Sequence, residues 1–160
     1  MSTKIPGLGK ATGNVDFDAH LEDGDYLLEA TGAEEQKKPK QGQDPNDEDC
    51  PIQYVVKTNI LAGPEQKDGS NPAGRPWTLF LYVDPDHEYT DLMVNRLKNA
   101  LNAFGVTVRA DSVKPEAFVG QRAVMQIANR IQKKGPYKGQ ERSEVSKFLA
   151  VEDSEYAELQ

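Results

Sequence analysis

Apolar residues in this chain alternate in some stretches, recur at helical spacing in one, and are missing from others. "GDYLLEATGAEEQ" opens on Gly24 and carries Tyr26, Leu27, Leu28 and Ala30, which predicts a first strand. "KKPKQGQDPNDEDCP" follows with no apolar period, and reads as a long loop, basic at its start and acidic at its end. In "IQYVVKTNILAG" the residues Ile52, Tyr54, Val56, Thr58 and Ile60 share one face, while Gln53, Val55, Lys57, Asn59 and Leu61 share the other, so this is a second strand. A loop rich in glycine and proline leads to "WTLFLYVD", a third strand. There Trp77, Leu79, Leu81 and Val83 oppose Thr78, Phe80 and Tyr82. The period then changes. Met93, Leu97, Ala100, Leu101 and Phe104 fall on one helical face, Gly105 stands where a terminating glycine belongs, and Asp86 or Thr90 is placed to cap the start. Period 2 returns in "AFVGQRAVMQIANRIQ", with Ala123, Met125, Ile127 and Ile131 on one face, and again in "SEVSKFLAV".

Strand, strand, strand, helix, strand, strand is the order of the OB-fold, a five-stranded Greek-key barrel. The predicted fold is therefore mainly β, an OB-fold with one helix between strands 3 and 4. Residues 1–14 are small and polar and predict a flexible arm, 15–151 the OB-fold domain, and 152–160 an acidic tail. No alternation of strand and helix suggests a parallel sheet. The chain's 160 residues suffice for one domain with a core of its own. Mean hydropathy of −0.70, 13 glycines and 10 prolines imply a lean core and many turns. Cys50 is the only cysteine, which excludes an internal disulfide and a zinc site built on cysteines and suits a reducing compartment. No apolar run approaches the roughly 18 residues a membrane span needs. "MSTKIPGLGKATGN" has no apolar core of a signal peptide, so a cytoplasmic protein with no membrane partner is expected.

Candidate catalytic motifs mostly fail on their own chemistry. "GLGKATG" lacks the first glycine of a phosphate-binding loop, where Lys4 stands, and has Ala11 in place of the hydroxyl that would hold magnesium. Asp84, Asp86, Glu88 and Asp91 follow the third strand and could hold a metal for nuclease chemistry, but acids there also suit the start of a helix. His20 and His87, the only histidines, have no ligand-spaced partner. Cys50 lies among acids that would raise its pKa. The expectation is a protein with no catalytic residues, no metal and no cofactor.

Charge changes the picture. The net charge is −7, yet from Arg130 to Lys147 six bases face two acids, a local +4 on a predicted hairpin. Single-stranded nucleic acid is held by a cationic groove along its backbone and by aromatic rings on which bases stack. Arg130, Lys133, Lys134, Lys138 and Arg142 can supply the first, and Tyr137, at the tip, the second. Lys57 and Asn59 on the second strand, and Arg75, Trp77, Phe80 and Tyr82 on and beside the third, fall on the two strands that form the ligand face of an OB-fold. Trp77 is the ambiguous member, a core or a ligand-facing residue.

The stretches "GDYLLEATGAEEQKK", "GRPWTLFLYVD", "LKNALNAFGV" and "FVGQRAVMQIANRIQKKGPYKGQERSEVSKFL", over residues 24 to 150, resemble a bacteriophage family long catalogued as a domain of unknown function and similar to OB-fold single-stranded DNA-binding proteins. The shared features are Gly24 with Tyr26, Trp77, Leu101 to Gly105, Val119 to Arg122, and Tyr137 through Phe148. The chain departs from that pattern at Ser143, where the family favours Asn. The resemblance implies a sequence-non-specific, non-enzymatic binder that protects single-stranded DNA in phage replication or recombination, in the cytoplasm of an infected bacterial host. It also implies that the acidic tail from Glu152 occupies the DNA groove or docks replication or recombination proteins. The alternatives are an OB-fold module that binds a replication or host defence protein, and a metal-dependent nuclease on Asp84, Asp86 and Glu88.

Overall fold

Alternation gives every strand one apolar side, and the sheet encloses those sides. The computed structural model describes residues 20–108, 112–136 and 138–159. The arm expected at 1–14 and the tip residue Tyr137 lie outside the described residues. Five strands, β1 (Gly24–Lys37), β2 (Ile52–Ala62), β3 (Pro76–Val83), β4 (Arg122–Ile131) and β5 (Glu141–Leu149), form one antiparallel sheet in the order β3-β2-β1-β4-β5. One α-helix, α1 (Thr90–Phe104), stands between β3 and β4 in the chain. The architecture is mainly β and barrel-like but not closed, because β3 and β5 remain the two edges of the sheet.

β1 is the hinge of this arrangement. Its first half pairs with both β2 and β4, and its second half with β2 alone. A bulge leaves Thr31 unpaired between Ala30, opposite Thr58, and Gly32, opposite Lys57. Such an extra residue bends a strand and sharpens its twist, which lets β1 serve two neighbours that diverge. Tyr26, Leu28 and Ala30 point inward with Tyr54, Val56 and Ile60 of β2, Leu79 and Leu81 of β3, and Ala123, Met125 and Ile127 of β4. Helix α1 adds Ala100, Leu101 and Phe104 to this core, and Phe104 meets Phe118 edge-on at 5.5 Å between ring centroids. Gly63 is required by packing, since a Cβ there would overlap the ring of Tyr26.

The predicted strand faces hold for β2 and β3. On β4 the expected inner position Ile131 is instead 66% exposed, because it is the last residue of the strand and lies past the enclosed space. The helix ends as expected, with Gly105 in the left-handed region at φ 71°. Its start does not: Tyr89 occupies the capping position with no side-chain bond, so neither Asp86 nor Thr90 caps it. Asp84 organises that turn, accepting from the amide of Asp86 at 3.0 Å.

The acidic tail also departs from expectation. After β5 the chain makes two short 3-10 turns, Val151–Asp153 and Ala157–Leu159. Val151 packs with Leu27 and Val124 on the outer side of β1 and β4, where Leu61, Leu149 and Tyr156 join them. The Tyr156 hydroxyl donates to the Asp25 carbonyl at 2.7 Å. Burial pushes the Tyr156 phenol up to about 12, with the charges of Glu155 and Asp25 adding to the effect. The tail is thus folded onto the sheet, and its acids Glu152, Asp153, Glu155 and Glu158 face solvent.

Candidate nucleic-acid interface

The outer side of β2 and β3 is a short ladder of cross-strand pairs. Tyr82 lies opposite Gln53, Phe80 opposite Val55, Thr78 opposite Lys57, and Pro76 opposite Asn59. Phe80 is 63% exposed and Tyr82 39%, two residues apart on the same side of one strand. Lys57 and Asn59 are exposed beside them. Inward-facing Leu79 and Leu81 fix this orientation, since turning the strand over would bring two leucines into water. The third row of the ladder comes from β1, with Glu34 opposite Val55 and Gln36 opposite Gln53. Glu34 accepts from the Gln36 amide at 2.7 Å. The face therefore carries two open rings, a cation, an amide and one carboxylate.

Arg75 and Trp77 do not join that face. The Arg75 guanidinium donates to the carbonyl of His20 at 3.0 Å, which ties the loop before β3 to the chain before β1. Trp77 points inward and packs, half-buried, against the core, which settles its ambiguity on the side of packing.

The basic hairpin stands on the other edge of the sheet. Arg130 lies directly opposite Arg142 in the β4–β5 pairing. Like charges so placed repel, and a bound anion would relieve them. Arg130 has Glu144 at 3.9 Å, a long contact between exposed groups, while the same carboxylate accepts from Gln132 at 3.1 Å. Lys133, Lys134 and Lys138 are exposed at the tip. Gly135 and Gly139 let the chain reverse there, at φ 83° and 85°, and the Gly139 amide bonds Gln132 at 2.8 Å. The structure thus gathers Lys57, Asn59, Phe80 and Tyr82 on one patch, and Arg130, Lys133, Lys134, Lys138 and Arg142 on another.

Between the two edge strands lies a cleft of about 610 Å³, walled by Trp77–Tyr82 and Glu144–Phe148 and lined by Met93, Arg96, Leu97 and Asn99 of α1. Asn99 acts there as a piece of strand. Its side-chain amide donates to the Phe148 carbonyl at 3.1 Å and accepts from the Phe148 amide at 2.8 Å.

A polar cluster that the sequence reading missed closes the end of the sheet beside the hairpin. Asn129 and Ser143 face each other across β4 and β5, at positions where alternation expects apolar side chains. The Ser143 hydroxyl accepts from the Leu21 amide at 2.9 Å and lies 2.6 Å from the Asn129 carbonyl oxygen. Asn129 donates to the Leu21 carbonyl at 2.7 Å and to the Asp23 carboxylate at 2.8 Å. Those bonds hold the Asp23 carboxyl below the usual range. Leu21, fully buried, is the plug they secure.

The acids after β3 are not arranged as a metal centre. Asp84 is buried and paired with Lys40 at 3.1 Å. Burial opposes its ionisation, but the Lys40 ammonium and the Asp86 amide outweigh that and lower its pKa. Among the described residues no three His, Cys, Asp or Glu side chains are grouped to hold a metal ion, and no helix is long and apolar enough to cross a membrane. No protein-family model matches the chain, and no curated protein is significantly similar to it.

Proposed function

We propose that this chain is a non-enzymatic, sequence-non-specific binder of single-stranded DNA, built on an OB-fold. The observation that carries the reading is the pair Phe80 and Tyr82, open to solvent on the outer side of β3 beside Lys57 and Asn59. Apolar rings exposed on a strand face are costly to leave uncovered unless a partner covers them. Bases stack on such rings with little regard to their identity, and cations beside them take the phosphates. The OB-fold reading rests on the strand order, with β1 central between β2 and β4 and the helix between β3 and β4. The exposed lysines of the β4–β5 hairpin extend the same chemistry, because loops flank the ligand face in that fold. A role in phage replication or recombination follows from the sequence resemblance and belongs to the same proposal.

Titration of a fluorescent single-stranded oligonucleotide at several salt concentrations tests it. Affinity falls with salt, with a log–log slope of about −0.7 for each phosphate contact. Changing Lys133, Lys134, Lys138 and Arg142 together to Ala weakens binding and flattens that slope. A full chain that does not bind the oligonucleotide at low salt overturns the function. A quadruple variant that binds like the parent removes the hairpin from the site.

A further inference from the structure

The cleft between β3 and β5 has the form of a vacant strand position. Every neighbouring pair in the sheet is antiparallel, so β3 and β5, four steps apart, run in the same direction. Closing the barrel by pairing them directly would introduce a parallel ladder. A strand inserted between them, running the opposite way, would instead make the whole barrel antiparallel. The walls suit such an insert. Trp77, Leu79 and Leu81 on one side and Phe148 on the other offer an apolar lining above Leu97, and Lys147 stands exposed at the rim.

The chain itself arrives at the mouth of this cleft. His20 is bonded by Arg75, the residue before β3, and Leu21 by Ser143, the residue before the stretch of β5 that walls the cleft. Residue 20 therefore stands where both edge strands begin. The chain preceding it, followed backwards into the cleft, runs antiparallel to both. Its last residues read Val15, Asp16, Phe17, Asp18, Ala19, a strict alternation of apolar and acidic side chains. With Val15, Phe17 and Ala19 turned to the apolar lining, Asp16 and Asp18 turn outward, on the side where Lys147 is exposed. Five extended residues span about 17 Å, as do five residues of either wall. The acids complement a basic edge, and the apolar positions complement an apolar floor.

We propose that the cleft is the docking groove of the chain's own residues 15–19, which enter it as a sixth, antiparallel strand and close the barrel. This goes beyond the DNA-binding reading and does not depend on it. Trp77 lines the groove and is the only tryptophan, so its emission reports occupancy. In the full chain, Phe17→Asp shifts that emission to the red and raises its quenching by acrylamide, while circular dichroism shows the sheet retained. A second variant gives an answer that does not rest on the folding of the first. With Asp18→Cys and Lys147→Cys in one chain, oxidation yields an intramolecular disulfide that proteolysis and mass spectrometry locate, and either cysteine alone yields none. Unchanged Trp77 emission and quenching in Phe17→Asp, together with no disulfide in the paired variant, overturn the proposal. A disulfide found only in covalent dimers also overturns it, since the groove then takes the segment of a second copy.

Discussion

At the residue scale, Phe80 and Tyr82 differ from the other aromatics in having no packing to lose. Their rings are largely in water, so Phe80→Ala shifts stability by no more than about 0.5 kcal/mol, the usual range for an exposed site. If a base stacks on it, the same change costs about 1–3 kcal/mol of oligonucleotide affinity. Denaturant unfolding and oligonucleotide titration of the one variant separate the two effects; a large loss of stability with no loss of affinity would show a structural ring. The outward turn of these rings was legible, because period 2 in "WTLFLYV" leaves only one way to bury Leu79 and Leu81. The role of Arg75 was not. A cation beside a predicted ligand face looks like a phosphate contact, and nothing local in the sequence announces a bond to His20, 55 positions away. Asn129 and Ser143 left a fainter signal, polar residues at inward positions of their strands. Read as interruptions of the apolar pattern they look like strand ends, whereas they are the clamps on Leu21.

At the element scale, the strands and the helix were written in the periodicity, and their connections were not. The long loop after β1 is an example. Its basic start and acidic end were visible, but not that Lys40 reaches Asp84 at the far end of β3. The same pairing explains why an acid-rich turn before α1 is no metal site, since the most buried of its carboxylates already has a cation. The pairing has a pH signature. Asp84 has a lower pKa folded than the roughly 3.9 of an unfolded aspartate. Its contribution to stability is thus fully present above that value and is lost as pH falls through the folded pKa. Asp84→Asn removes this part of the acid limb. Unfolding midpoints measured from neutral pH downward therefore fall less steeply for the variant below about pH 4 than for the parent. Parallel curves would show that Asp84 does not ionise differently in the two states.

At the scale of the whole molecule, the charge pattern suggested a contest that the fold resolves differently. A segment of +4 and a tail of four acids, separated by only a few residues, invite the idea that the tail competes with phosphates for the hairpin. The fold separates them. Val151 packs against Val124, near the start of β4, while Lys133 lies beyond its other end. Nine residues of strand at about 3.3 Å each put these points some 30 Å apart, about three Debye lengths at 0.1 M salt. What holds the tail in place is apolar contact and one tyrosine, which could have been suspected from Val151 and Tyr156 standing alone among acids. The Tyr156 phenol, raised to about 12 against about 10 for a free tyrosine, favours the folded state while it is neutral. That contribution is fully present below about pH 10 and disappears as pH rises through 12. Limited proteolysis consequently finds the tail protected at neutral pH and released in Tyr156→Ala, with Tyr156→Phe between the two because it keeps the ring and loses the bond to Asp25. Ending the chain after Ala150 uncovers Leu27 and Val124 and lowers the unfolding midpoint, yet leaves low-salt affinity for an oligonucleotide within about twofold of the full chain, since rim charges beyond a Debye length act weakly. A truncated protein that binds markedly tighter at low salt would show that the tail leaves its seat on the sheet and reaches the hairpin after all.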